Sequence, residues 1–87
     1  MTEPSGDMRL LIEEIAKALV DDPSQVSVQV VDDEAGEGIL LELRVAPNDV
    51  GKVIGKQGRT ARSMRTLLSA AGMKLHKRYS LDIVEDE

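Results

Sequence analysis

Two glycines separated by two polar residues form the stretch of this chain whose residue types and spacing could do chemistry. Gly55 and Gly58 enclose Lys56 and Gln57, and Arg59 follows them. Because glycine has no Cβ, the backbone can adopt positive φ here and approach a ligand closely. A helix that begins at such a turn presents N–H groups and a partial positive charge, which attract phosphate. The stretch therefore predicts a loop that binds phosphate groups.

The spacing separates this loop from the common nucleotide-binding motifs. A P-loop has four residues between its glycines and then a Lys-Ser or Lys-Thr pair, and a dinucleotide-binding loop follows a strand. A G-x-x-G sequence alone is frequent by chance and often only joins two helices. Here Ile54 precedes the first glycine, cations stand inside and after the pair, and an amphipathic helical pattern lies on each side.

Charge is distributed unevenly along the chain. From Val50 to Leu81 there are eight basic residues and no Asp or Glu, although the 87 residues together carry a net charge of −5. The remainder holds all 16 acids and only three bases. A basic segment beside a glycine loop favours a polyanion as partner. The alternative, that these lysines and arginines only solvate helix faces, stays open on the sequence.

Composition excludes several kinds of active site. The chain has no cysteine, so it can form no disulfide, thiolate metal site or cysteine nucleophile. His76 is its only histidine and lies in a predicted connection, and the acids between Asp32 and Glu37 lack the spacing of a calcium loop. We therefore expect no enzymatic activity, no metal and no cofactor. The polar N-terminus and the lack of a long apolar stretch fit a cytoplasmic protein.

Hydrophobic periodicity predicts six elements. Apolar residues recur at helical spacing in three segments and alternate with polar residues in three others. The expected apolar face of the long basic helix consists of Ala61, Met64, Leu67, Leu68 and Ala71, and Gly72 is expected to end that helix. The expected elements are helix 8–20, strand 26–30, strand 39–45, helix 47–54, helix 59–71 and strand 79–84.

This order, α-β-β-α-α-β, predicts an α+β fold of two layers, in which helices pack on one face of a three-stranded sheet. The first two strands form a hairpin around a charged turn, 32–38, and the core is aliphatic because Tyr79 is the only aromatic residue. A single predicted domain spans residues 8–84. Residues 1–7 are expected to be a flexible lead and residues 85–87 an acidic tail.

Residues 53–59, Val-Ile-Gly-Lys-Gln-Gly-Arg, resemble the signature of the KH domain, in which a GXXG loop clamps the backbone of about four nucleotides of single-stranded nucleic acid. A helix and a strand ahead of the β-α-α-β core resemble the type II, bacterial arrangement. From about Met8 to Val84 the chain is similar to the small stand-alone bacterial KH proteins of the KhpA family. The resemblance implies a cytoplasmic, non-enzymatic RNA-binding protein and RNA chaperone. It also implies pairing with a second KH protein of the Jag type (KhpB), and a link to cell-wall homeostasis and cell length.

The expected RNA contacts combine the loop with its flanking cations. The glycines are expected to approach the sugar-phosphate backbone, and the connection 73–78 to form the opposite lip of a groove. Without a row of aromatic side chains, the bases would lie on an aliphatic floor, with weak affinity and loose sequence preference. The expected RNA-binding residues are Lys52, Gly55, Lys56, Gln57, Gly58, Arg59 and Arg62.

A protein-interaction module is the alternative function. A small domain with an aliphatic core gains stability by forming a homodimer or by docking to a second KH protein. The basic face would then meet an acidic partner. The two functions are not exclusive, and the resemblance to the KhpA family favours both.

Overall fold

The helices and strands follow one another in the order that the sequence predicts. The structure is a computed structural model that describes residues 4–32 and 38–85. Short 3-10 turns at Pro23–Gln25, Pro47–Asp49 and Lys56–Gly58 join some of the elements. The main elements are α1 Pro4–Leu19, β1 Ser27–Asp32, β2 Gly38–Arg44, α2 Val50–Ile54, α3 Arg59–Leu75 and β3 Arg78–Ile83.

The first helix, α1, begins four residues earlier than expected. Proline is favoured in the first turn of a helix because its missing N–H has no partner there, and Asp7 adds an acid near the positive end of the helix dipole. Residues 4–7, expected in a flexible lead, are therefore helical. The helix buries Ile12 and Ala16 against the sheet, whereas Leu11 and Leu19, expected on the same apolar face, remain exposed.

A mixed three-stranded sheet in the order β1-β2-β3 forms the second layer. The predicted hairpin is confirmed, since β1 pairs with β2 in antiparallel register and Val30 lies opposite Leu41. The predicted turn between them, 32–38, falls almost entirely on residues 33–37, which lie outside the described residues. On its other side β2 pairs with β3 in parallel register, with Leu41 opposite Leu81. Joining a parallel pair requires a crossover, and α2 and α3 provide it.

The aliphatic core lies between the sheet and the helices, as expected for two layers. The central strand contributes Leu41 and Leu43, which are completely buried. They pack in one cluster with Ile12 of α1 and with Met64 and Leu68 of α3. The period-two pattern of β2 thus faces the helical layer, and its alternate residues face away from it.

The third helix, α3, is longer than expected. It continues through Gly72, which was predicted to end it, as far as Leu75, and it closes at His76 in the left-handed conformation (φ 58°). A Cβ at Gly72 would collide with the carbonyl oxygen of Lys77 and lie 3.3 Å from Cδ2 of Tyr79. Gly72 therefore allows the returning chain to pack closely against the helix and is not its cap. Leu67, predicted to be in the core, is 49% exposed.

Leu41 provides a test of the assigned strand face. Replacing this fully buried residue by Asp places an unpaired charge in the core and should lower the free energy of unfolding by more than about 4 kcal/mol, enough to unfold a small domain. Thermal melting followed by circular dichroism measures this. The control Leu40→Asp, on the opposite face of the same strand, should leave a folded domain, and equal loss in both variants would contradict the assignment.

Candidate nucleic-acid interface

The glycine loop is a sharp turn between α2 and α3 that both glycines make possible. The short helix α2 ends because Gly55 adopts φ 78° and ψ 172°, and its N–H donates to the Gly51 carbonyl at 2.9 Å. A Cβ at Gly55 would collide with the side chain of Thr60, so any other residue here is excluded by both space and conformation. Gly58 has φ 74° with open space around it, so only its conformation requires glycine.

The two residues between the glycines form an exposed tip. Lys56 and Gln57 are both solvent-exposed, and Gln57 itself has positive φ, 58°. The Gly58 N–H donates to the Gly55 carbonyl at 3.1 Å, which closes the turn. Arg59, the first residue of α3, donates from Nη2 to Oε1 of Gln57 at 3.2 Å and steadies the tip. The predicted compact turn is confirmed in its geometry.

Cations surround this tip at the positive end of the α3 dipole. Lys56, Arg59 and Arg62 are exposed, and Arg62 lies one helical turn after Arg59. Within the described residues, neither the Lys56 nor the Arg62 side chain has an ion pair or hydrogen bond. Side chains without a protein partner can contact an anion without first breaking a bond, so this corner of the molecule can hold phosphate.

Lys52, the other cation of the predicted site, forms ion pairs within the protein. Its ammonium lies 3.0 Å from Oδ2 of Asp21 and 3.2 Å from Oδ1 of Asp49. The hydrogen bonds to Asp21 and to Asp49 raise the pKa of Lys52 above its ordinary value. Two carboxylates therefore offset its charge, and the structure joins Lys52 to the end of α1 instead of leaving it unpaired beside the loop.

Asp49 is the buried centre of that network, and the sequence reading missed this role. The residue is only 2% exposed, and its two carboxylate oxygens accept the backbone N–H groups of Asp21 and Asp22 at 3.2 and 3.1 Å. Burial would raise the pKa of Asp49, but these two bonds and the Lys52 ammonium outweigh it and hold the pKa below its ordinary value. The carboxylate thereby ties the end of α1 to the start of α2.

The prediction that residues 73–78 form the opposite lip of the groove is wrong. Residues 73–75 are the last turn of α3, residues 76–77 connect it to β3, and Arg78 begins β3, so this segment lies at the far end of the helix from the glycine loop. Seventeen helical residues separate the two ends by about 25 Å at roughly 1.5 Å per residue. That distance is too large for two lips of one narrow groove.

The element that lies along α3 beyond the loop is the edge strand β3. Arg65, at the border of the polar face of α3, donates from Nη2 to the Leu81 carbonyl of β3 at 3.5 Å. No sequence pattern predicted this contact, because it joins residues that are 16 positions apart.

Comparison with known proteins identifies the family of this fold. The family model described as KhpA/KhpB, KH domain matches residues 9–83. The chain belongs to this family of KH domains. It is 52% identical over 77 residues to the RNA-binding protein KhpA of Clostridium acetobutylicum, covering 88% of this chain and 100% of that protein. The RNA-binding protein KhpA of Treponema pallidum is 54% identical over 76 residues, covering 86% of this chain and 91% of that protein.

Solved structures share the KH fold at lower identity. Aquifex aeolicus Era bound to GDP·AlF4− gives a TM-score of 0.54 at 16% identity, over 99% of this chain and 33% of the Era chain. Era in complex with MgGDPNP and a segment of 16S ribosomal RNA gives 0.53 at 16% identity, over 98% of this chain and 33% of that one. This chain therefore spans about a third of the Era chains that it matches, and the likeness shows the fold alone.

The family agrees with the expectation of a non-enzymatic protein, since these relatives are named RNA-binding proteins. In residues 4–32 and 38–85 no group of three or more His, Asp or Glu side chains could hold a metal ion. No helix of the described part is long and apolar enough to cross a membrane.

The Asp49 network predicts a dependence of stability on pH. Asp49→Asn removes the charge and should lower the melting temperature at pH 7, because a neutral amide is a weaker partner for Lys52 and the two N–H groups. Since the folded-state pKa of Asp49 is lowered, its contribution is present above the ordinary carboxyl pKa of about 4 and is lost as pH falls through the folded-state value.

Melting temperatures of both proteins between pH 7 and pH 2 test this, and the difference between them should shrink on acidification. Asp82→Asn, the same substitution at an exposed residue of β3, should leave the melting temperature at pH 7 unchanged. A constant difference at all pH values would show that the network contributes through shape and not through charge.

Proposed function

We propose that this KH domain binds single-stranded RNA through the glycine loop and the cations beside it. The observation that carries the proposal is the exposed tip Lys56-Gln57, held between two positive-φ glycines at the positive end of a 17-residue helix. The family adds support, because the relatives compared above are named RNA-binding proteins. KH domains use a GXXG loop of this kind to clamp the backbone of about four nucleotides.

Backbone contact is the centre of the proposed mechanism. Gly55 and Gly58 let the main chain approach the sugar-phosphate backbone, and Lys56 and Gln57 face the phosphates. Arg59 and Arg62 continue the contact along the first turn of α3. Lys52 contributes less, because Asp21 and Asp49 already hold its ammonium. Fully charged side chains beside a helix N-terminus favour phosphate over uncharged ligands.

Base recognition in this proposal is weak. Tyr79, the only aromatic residue of the chain, is 5% exposed and packed in the core, so it offers no surface on which a base can stack. Stacking on aromatic rings is worth about 1–3 kcal/mol per base in other single-strand binders. Without it, the bases contact aliphatic side chains, and we expect modest affinity with little sequence preference.

The resemblance to KhpA proteins supports a proposal about the role of this protein in the cell. Binding to the sugar-phosphate backbone with little base preference suits an RNA chaperone of the bacterial cytoplasm, which must bind many RNA sequences. Pairing with a second KH protein, named KhpB in the family description, would bring two such loops together and raise the avidity for a long strand. The links to cell wall and cell length rest on the resemblance to the family.

The loop is tested by Lys56→Asp with Gln57→Asp, which places two negative charges against phosphate while both glycines keep the turn. Binding to single-stranded RNA should be lost without change in the melting temperature. The wild-type protein should show a slope of log K against log salt of about −2 to −3.5 if three to five phosphates are neutralised. Fluorescence anisotropy over a salt series measures the affinity for RNA and its salt slope.

A matched control carries the same change in total charge elsewhere. Lys17→Asp with Gln29→Asp alters one exposed residue of α1 and one of β1, and it should bind RNA with less than about a threefold loss, because distant surface charges are screened. Unchanged binding by the loop variant would show that the loop only connects two helices. An equal loss in both variants would show a general charge effect.

The second candidate function is assembly with itself or with another KH protein. Leu67 on α3 and Leu10 on α1 are large apolar side chains that are about half exposed, and we infer that a partner would cover them. Sedimentation of the purified protein without RNA should then show a dimer at micromolar concentration. The Lys56→Asp, Gln57→Asp variant should sediment in the same way, since the loop is not part of that surface, whereas a monomer at all concentrations would argue against self-assembly.

A further inference from the structure

A depression of about 670 Å³ lies at the end of α3 opposite the glycine loop. The last turns of α3 line it with Ser69 and Met73, and the start of β3 lines it with Arg78. Its volume is in the range of ligand-binding clefts, 300–1,000 Å³ or so. Gly72 helps to shape it, because the absence of a side chain there lets the returning backbone lie directly against the helix.

One residue that lines this depression, Tyr79, carries a buried hydroxyl for which the described residues offer no partner. Tyr79 is 5% exposed. Among the described residues, the Tyr79 hydroxyl is the buried side-chain polar atom that lacks a hydrogen bond. Buried polar groups are almost always paired with protein, water or ligand. The buried Tyr79 hydroxyl therefore has hydrogen-bonding capacity that no described protein group uses.

Unpaired cations border the depression. Lys77 and Arg78 are exposed, and within the described part of the chain neither side chain has an ion pair. No acid occurs anywhere in the sequence between Val50 and Leu81. Their charge is therefore not offset by a sequence neighbour, and a ligand with negative charge suits the depression best.

An exposed ridge of α3 connects the glycine loop to this depression. Arg62, Thr66, Ser69 and Met73 follow one another at spacings of four, three and four residues, which places them on one face of the helix. All four are exposed, and none is acidic. A strand that leaves the loop beside Arg62 thus meets no negative side chain on the ridge before it reaches Lys77.

We propose that the depression is a second phosphate-binding point for the same RNA strand, with Lys77 and Arg78 holding a backbone phosphate. This inference rests on the proposed function of the loop. The two points are about 25 Å apart along α3 at roughly 1.5 Å per residue. A stacked strand advances about 3.4 Å per nucleotide, so about seven nucleotides are needed to reach both points. The binding footprint is then longer than the four or so nucleotides that the loop contacts.

Oligonucleotide length provides the test. Affinities for oligoadenylates of four and of twelve nucleotides are measured with the full chain, the wild type against Lys77→Gln with Arg78→Gln. For the longer strand we expect a loss of about fivefold or more and a salt slope smaller by about 1.4, the value for two phosphate contacts on a single strand. For the shorter strand we expect less than about a twofold change, because it cannot span both points.

The single variant Lys77→Gln is also measured, and Lys74→Gln is its matched control. Lys74 lies in the last turn of α3 and carries the same charge, but it does not line the depression. It should leave the affinity for the longer strand within about twofold, since Lys74 does not line the depression and an exposed charge without a direct contact contributes little. Equal losses from Lys74→Gln and Lys77→Gln, or equal losses on both lengths of strand, would overturn the proposal in favour of a general charge effect.

Two further comparisons distinguish an error in the second phosphate-binding point from an error in the proposed function of the loop. If Lys56→Asp with Gln57→Asp abolishes binding to both strands while the Lys77 and Arg78 variant binds like wild type, the second point is wrong and the loop stands. If the loop variant binds like wild type, the proposed function itself fails. Titration with inorganic phosphate, followed by the amide NMR signals of Lys77 and Arg78, identifies a small-anion site, and saturation there without any dependence on RNA length would overturn the proposal.

Discussion

The parallel pairing of β2 with β3 is the constraint on which the rest of the molecule depends. Two parallel strands cannot be joined by a tight turn, so the chain must travel back along the sheet before β3 begins. It does so in two helices, and the direction changes between them within the four residues from Gly55 to Gly58. The candidate RNA-binding loop is therefore the corner of the crossover, and the geometry of the sheet decides where that corner lies.

The charges are arranged so that the corner remains available. Acids and bases meet where α1 ends, at Asp21, Asp49 and Lys52, and there they hold two helices together. Beyond that network the basic segment has no acid within it. Lys56 and Arg62 stay unpaired within the described residues. An anion can therefore bind them without first breaking an ion pair inside the protein. Lys52 thus serves mainly to hold the helices together, whereas Lys56 and Arg62 are available for the proposed binding.

The sequence pattern predicted those features that depend on interactions between residues close together in the chain. Alternation in Ile39, Leu41 and Leu43 predicted the central strand and its buried face, and the two glycines predicted the turn, because backbone sterics act within a few residues. The arrangement of the layers was also predicted correctly, but two details that depend on distant neighbours were wrong and one was missed. Gly72 looks like a helix cap until Lys77 and Tyr79 are seen to pack against it. Leu67 has helical spacing that suits a core, but the sheet covers only part of that face. The role of Asp49 depends on Asp21, which is 28 positions away.

The contact between Arg65 and the Leu81 carbonyl has a further consequence. With the order β1-β2-β3, β3 is an edge strand, and the backbone groups on its free side could pair with a strand of another molecule. Arg65 occupies one of those carbonyls from the neighbouring helix and places a positive charge beside the edge. A second sheet that paired with this carbonyl would have to displace the guanidinium group. A charged side chain beside an edge strand is one of the ways in which natural proteins disfavour edge-to-edge pairing.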